Sequence, residues 1–98
     1  MSNTQETPQV INNKAERQFE VHVDGYMGKL TYNTKDDMIA FFHTEVPEAL
    51  QGRGLAKILA EYALNFAKDN HYKILPYCPF VAKYIKEHPE WQQYVKHF

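Results

Sequence analysis

Cysteine is nearly missing from this chain of 98 residues, with Cys78 the only one. A lone thiol closes no intramolecular disulfide, so a reducing compartment is implied and the expected location is the cytoplasm. Long apolar runs are missing too. Nothing approaches the ~20 residues of a bilayer span, so no membrane partner is expected. The opening MSNTQETPQ likewise lacks the apolar stretch of a secretory signal. The five histidines follow no spacing such as HExxH, so no metal site is expected. Charge of one sign is also lacking. Eleven basic against twelve acidic residues leave a formal charge of −1, which argues against broad nucleic-acid binding.

What is present is the composition of an ordinary globular domain, 44% apolar and 23% charged. Residues 1–9 are polar and aperiodic and read as a disordered tail, leaving residues 10–98 as one domain. Charge is unevenly spread. Residues 1–49 hold four basic and eight acidic groups, and residues 50–98 hold seven and four, so the second half suits an anionic ligand.

Alternation over 17–23 sets Phe19, Val21 and Val23 on one strand face, with Glu20 and His22 on the other. Asp24-Gly25 is a hairpin signal, and a second strand is expected over 26–33. A polar turn follows over 33–37, then a third strand over 38–46, with a short edge strand near Val10 and Ile11. The period then changes. Leu55, Ile58, Leu59, Tyr62, Ala63, Phe66 and Ala67 recur at helical spacing, predicting a helix over 52–69 with Asn70 as a left-handed stop. A short strand over 73–77 would lie parallel to the third. Pro79 suits the first turn of a second helix capped at Cys78, with Phe80, Val81, Tyr84 and Ile85 as its apolar face and Pro89 as its end. Trp91, Tyr94 and Phe98 then pack a final turn. The expected fold is α/β, an antiparallel meander followed by β-α-β-α.

Chemistry concentrates at the strand-to-helix junction, Glu48-Ala49-Leu50-Gln51-Gly52-Arg53-Gly54-Leu55-Ala56. A helix starts with backbone N–H groups that lack intrahelical partners and with the positive end of its dipole. Gly52, Gly54 and Ala56 are small enough for phosphates to approach those groups, and Arg53 and Lys57 lie one turn apart to add charge. The loop lacks the GK[ST] ending of a Walker loop and is not GxGxxG. Its small residues also serve any tight strand-to-helix turn.

Gln51-x-x-Gly54-x-Ala56 resembles Q/R-x-x-G-x-G/A, the coenzyme A pyrophosphate loop of the GNAT superfamily of N-acetyltransferases. Together HTEVPEALQGRGLAKIL and LPYCPFVAKYIKEHPEW resemble a compact, single-domain GNAT-like family, over nearly all of 17–94. The resemblance implies acetyl-CoA as cofactor, held along the third strand at Thr44 and Val46 and by Gln51, Gly52, Arg53, Gly54, Leu55, Ala56 and Lys57. It also implies an amine acceptor, a small molecule or a protein, whose identity the sequence leaves open.

Acetyl transfer needs the amine deprotonated, the carbonyl polarised and the leaving thiolate protonated. His43 and Glu45, two apart on a strand, share a face beside the loop. The resemblance makes Glu45 the positional counterpart of the carboxylate base of larger GNAT enzymes. Cys78 stands at a helix start, where the dipole favours thiolate. The family resemblance sets it near the cofactor's thiol, as a pocket residue or a nucleophile. Tyr84 matches the larger enzymes' tyrosine acid only loosely, and packing suffices to account for it. The helices and strands with which those enzymes build an acceptor pocket have no counterpart here. Two functions are therefore expected to compete, an acetyl-CoA-dependent N-acetyltransferase and a non-catalytic coenzyme A-binding or interaction module.

Overall fold

A computed structural model describes residues 8–97; residues 1–7 of the tail expected over 1–9, and the packing of Phe98, lie outside the described residues. Five strands form one sheet in chain order: β1 (Ile11–Asn13), β2 (Gln18–Val23), β3 (Tyr26–Lys35), β4 (Met38–Glu45) and β5 (Lys73–Pro76). The first four pair antiparallel and β5 joins β4 in parallel, because α1 (Leu55–Asp69) returns the chain to the starting edge. Helix α2 (Pro79–Glu87) follows β5, and 3-10 turns occupy Glu48–Leu50 and Pro89–Tyr94. The α/β meander with a β-α-β-α second half is the fold read from the sequence.

Both tight hairpins have local causes. Asp24 and Gly25 take φ of 53° and 82°, the left-handed pair that matches strand twist. At Asp36 (φ 56°) the next turn shrinks to two residues, so β3 runs on to Lys35 instead of ending at Asn33. One face of the sheet is apolar: Phe19, Val21, Leu30, Ile39 and Phe41 are fully buried with Leu59, Ala63 and Leu64 of α1 and Val81 and Ile85 of α2.

Three expectations need correction. Helix α1 starts at Leu55, not Gly52, because Gly52 and Gly54 take φ of 84° and 73° and turn the chain before the helix begins. The left-handed residue at its end is His71 (φ 60°), whereas Asn70 (φ −103°) donates its side-chain amide to the Phe66 carbonyl at 2.9 Å. Phe80 is 37% exposed and sits at the edge of the buried stripe of α2.

The register of β3 and β4 shifts once. Thr31 faces His43 but Tyr32 faces Phe41, leaving Phe42 as the extra residue of a β-bulge. Alternation from Phe41 would put His43 and Glu45 on the helix side. The bulge reverses this, so that Thr44 and Val46 take the helix side and His43 and Glu45 the open face.

Candidate functional site

β4 outruns its partner. The last rung with β5 is Phe41 to Pro76, and the Cys78 N–H then donates to the Phe41 carbonyl at 2.7 Å. From Phe42 to Glu45 no strand lies on that side among the described residues, and α2 leads away from the gap. A cavity of about 620 Å³ opens there, lined by Met27, Thr44, Glu45, Val46, Pro47, Gln51, Ala56 and Phe80. A second, of about 210 Å³, continues along Leu50, Gly52, Gly54, Leu55 and Lys57, sharing Val46, Gln51, Ala56 and Phe80 with the first. Together they run from the free end of β4 to the start of α1, a size suited to a small-molecule ligand.

The loop between them is anchored at Leu50, which is buried, and its Gln51 side chain donates to the Val46 carbonyl at 3.3 Å. The first bond of α1 joins the Ile58 N–H to the Gly54 carbonyl at 3.1 Å. Among the described residues, the backbone N–H groups of residues 52–57 have no hydrogen-bond partner, and no side chain caps the helix. A Cβ built on Gly52 or Gly54 would meet no atom within 4 Å. The loop is thus a cradle of free donors at the positive end of a 15-residue helix, with open space before it. That arrangement suits a phosphate-like anion, and Lys57 lies beside it. Arg53 turns aside and pairs with Asp24 of the β2–β3 turn at 3.0 Å. It precedes α1, so it does not share a helical face with Lys57.

Cys78 caps α2 as expected from the sequence, but its thiol is 1% exposed and lines neither cavity. It lies 3.2 Å from the Thr44 hydroxyl, one side chain behind the cavity wall. His43 Nε2 stands 3.1 Å from Glu45 Oε2, and Lys29 reaches the other carboxylate oxygen at 3.6 Å. The side chains of all three lie on the open face, and Glu45, which also lines the cavity, links the pair to it at the end of β4. Tyr84 is remote. Its hydroxyl donates to Glu61 of α1 at 2.8 Å, and burial, with the Glu61 carboxylate next, pushes it up to about 12. Its role is packing.

Sequence reasoning missed Met27, Pro47 and Phe80 as lining residues. Only Phe80 carried a signal, as the bulky residue off the 81/84/85 stripe. It also missed Glu20, whose alternating position suggests solvent but which is 6% exposed. Gln18 at 2.6 Å, His22 at 2.8 Å and Asn13 at 2.9 Å surround its carboxylate and hold it below the usual carboxylate range, Gln18 contributing most.

Comparison with known proteins agrees with this fold. Residues 18–94 match the GCN5-related N-acetyl-transferase family. Protein NATD1 of Gallus gallus is 36% identical, over 91% of this chain and 83% of that one. Protein NATD1 of Homo sapiens is also 36% identical, over 82% and 74%. The solution structure of a GCN5-like protein from Staphylococcus aureus superimposes with a TM-score of 0.70 at 24% identity, over 92% of this chain and 89% of that one.

Proposed function

The chain belongs to the GCN5-related N-acetyltransferase family, and we propose that it is an acetyl-CoA-dependent N-acetyltransferase acting on an amine. One observation carries the reading. A cradle of free N–H groups over 52–57 joins a cavity that ends where β4 loses its strand partner. The residues fit the cofactor. The N–H groups and Lys57 receive its diphosphate, the space before Gly52 and Gly54 admits it, and Thr44, Val46 and Phe80 line the way to the end of β4. When bound, acetyl-CoA supplies an acetyl group activated as a thioester.

The chain's own groups do the rest. Beyond Phe41 the backbone of β4 has N–H groups free to hold a carbonyl oxygen and polarise it. An amine reaching the gap from the open face meets His43, which takes its proton while Glu45 orients the imidazole and balances its charge. Cys78, sealed behind Thr44, supports direct transfer over a cysteine-bound intermediate. The competing module without catalysis is favoured by one fact, that Lys29 already engages Glu45.

Thermal unfolding with acetyl-CoA tests binding, with a stabilisation of about 2.7 kcal/mol expected at a hundredfold excess over Kd. Turnover with a panel of amines and peptides then separates enzyme from module, and Cys78→Ala should retain it. Absence of any shift with acetyl-CoA refutes both readings; a shift without turnover leaves the module.

A further inference from the structure

A third cavity lies at the other end of α1 and belongs to no step described above. Its volume is about 340 Å³, and its walls come from the β1–β2 turn (Lys14, Arg17), the end of β3 (Tyr32, Asn33) and the end of α1 (Phe66, Tyr72). Asn12, Thr34 and Asn70 complete the lining.

The polar atoms left over in it are unbalanced. The Asn12 side-chain oxygen already accepts from the Tyr32 hydroxyl at 2.6 Å, and that of Asn33 accepts from the Thr34 N–H at 3.0 Å, so each oxygen has one lone pair engaged while both NH2 groups are unspent. Lys14 and Arg17 add two cations, and among the described residues neither pairs with a carboxylate. Acceptors remain too, the side-chain oxygen of Asn70, whose NH2 is taken by the Phe66 carbonyl, and the hydroxyl oxygens of Tyr32, Thr34 and Tyr72, but no carboxylate lines the cavity to balance the two cations. The end of a helix is normally poor ground for an anion. Here its last carbonyls are already answered by the N–H groups of Asn70, His71 and Tyr72, at 3.1, 3.1 and 2.9 Å.

The apolar part of the lining is aromatic. Phe66 lies 6.3 Å from Tyr72 and 6.4 Å from Tyr32 between ring centroids, giving a flat partner a surface to lie on. Arg17 is the independent observation. It sits at φ 56°, in a hairpin turn where glycine or asparagine would be unstrained, yet the position holds a long cation that lines the cavity.

We propose that this cavity is a second ligand site, which takes a small organic anion carrying a flat ring. Lys14 and Arg17 hold the charge, the NH2 groups of Asn12 and Asn33 bond its oxygens, and Phe66 and Tyr72 cover the ring. The site is separate from the 52–57 loop and stands whether or not acetyl-CoA binds there.

The test is a titration of the full chain with phenyl phosphate, followed in amide correlation spectra. Inorganic phosphate supplies the charge-only arm and benzyl alcohol the ring-only arm. Saturable shifts are expected at the amides of Lys14, Arg17, Thr34 and Asn70 with phenyl phosphate, and much weaker binding with either fragment. Arg17→Gly should weaken phenyl phosphate by roughly tenfold or more, as for loss of a charge-assisted hydrogen bond. Because glycine relieves the positive φ, the same variant should unfold at an equal or higher temperature. A loss of binding without a loss of stability is the decisive pattern. The proposal fails if no saturable shift appears, if inorganic phosphate binds as well as phenyl phosphate, if Arg17→Gly binds normally, or if coenzyme A displaces the probe.

Discussion

Replacing Gly54 separates a glycine needed for a turn from a glycine needed for a ligand. Its φ of 73° is left-handed, where an L-residue costs about 1–2 kcal/mol and asparagine less. Crowding adds nothing in the free protein, because a Cβ there meets no atom within 4 Å. Gly54→Ala should therefore lose about 1–2 kcal/mol in urea unfolding and Gly54→Asn well under 1. The empty space is also the approach to the N–H groups of Leu55 and Ala56, so both variants place side-chain atoms where a diphosphate must lie. Affinity for coenzyme A, measured by calorimetry, should fall by roughly a hundredfold in each, as about 3 kcal/mol of charged hydrogen bonding is lost. The order of the two variants decides the matter. If the glycine only shapes the turn, asparagine restores binding along with stability. Wild-type affinity in a folded Gly54→Asn protein would refute the phosphate cradle.

Two further outcomes follow from charges already located. Tyr84 is raised to about 12 in the folded chain, so its stabilisation is complete below the ordinary tyrosine value near 10 and is lost as pH rises through 12. Tyr84→Phe should remove up to about 2–3 kcal/mol of this alkaline dependence in urea unfolding between pH 9 and 12; identical slopes in both proteins would contradict the burial of the Tyr84 hydroxyl beside Glu61. Asp24→Asn releases Arg53 and should tighten coenzyme A binding two- to fivefold at low salt, the small effect of an exposed pair. Weaker binding would mean that the pair instead holds the loop in shape.

Much of this was legible in the residues. Strand alternation, the Asp24-Gly25 turn and the 3.6-residue stripe of Leu55 to Ala67 each rest on local physics, and each element formed within three residues of its expected bounds. The turn of small residues that opens α1 was legible because those residues and their place before a helical stripe are both sequence facts. The side that Glu45 faces was not, since a bulge depends on how two strands twist against each other and leaves no mark at Phe42. Glu20 misled for a related reason. Alternation assigns it a face, but its burial comes from Asn13 and Gln18, brought beside it by the β1–β2 pairing. The depth of Cys78 likewise depends on Thr44, 34 positions away.

The extra residue at Phe42 makes β4 a two-sided ruler whose markings swap sides partway along. Upstream of it, odd-numbered positions face the helices; downstream, even-numbered ones do. Removing that one residue would bring Phe41 and His43 onto consecutive rungs and restore plain alternation, leaving Thr44 and Val46 on the helix side and His43 and Glu45 on the open face. The bulge is therefore a place where the strand absorbs one residue without changing which side chains of 43–46 face the helices, because the pairing with β3 sets their sides.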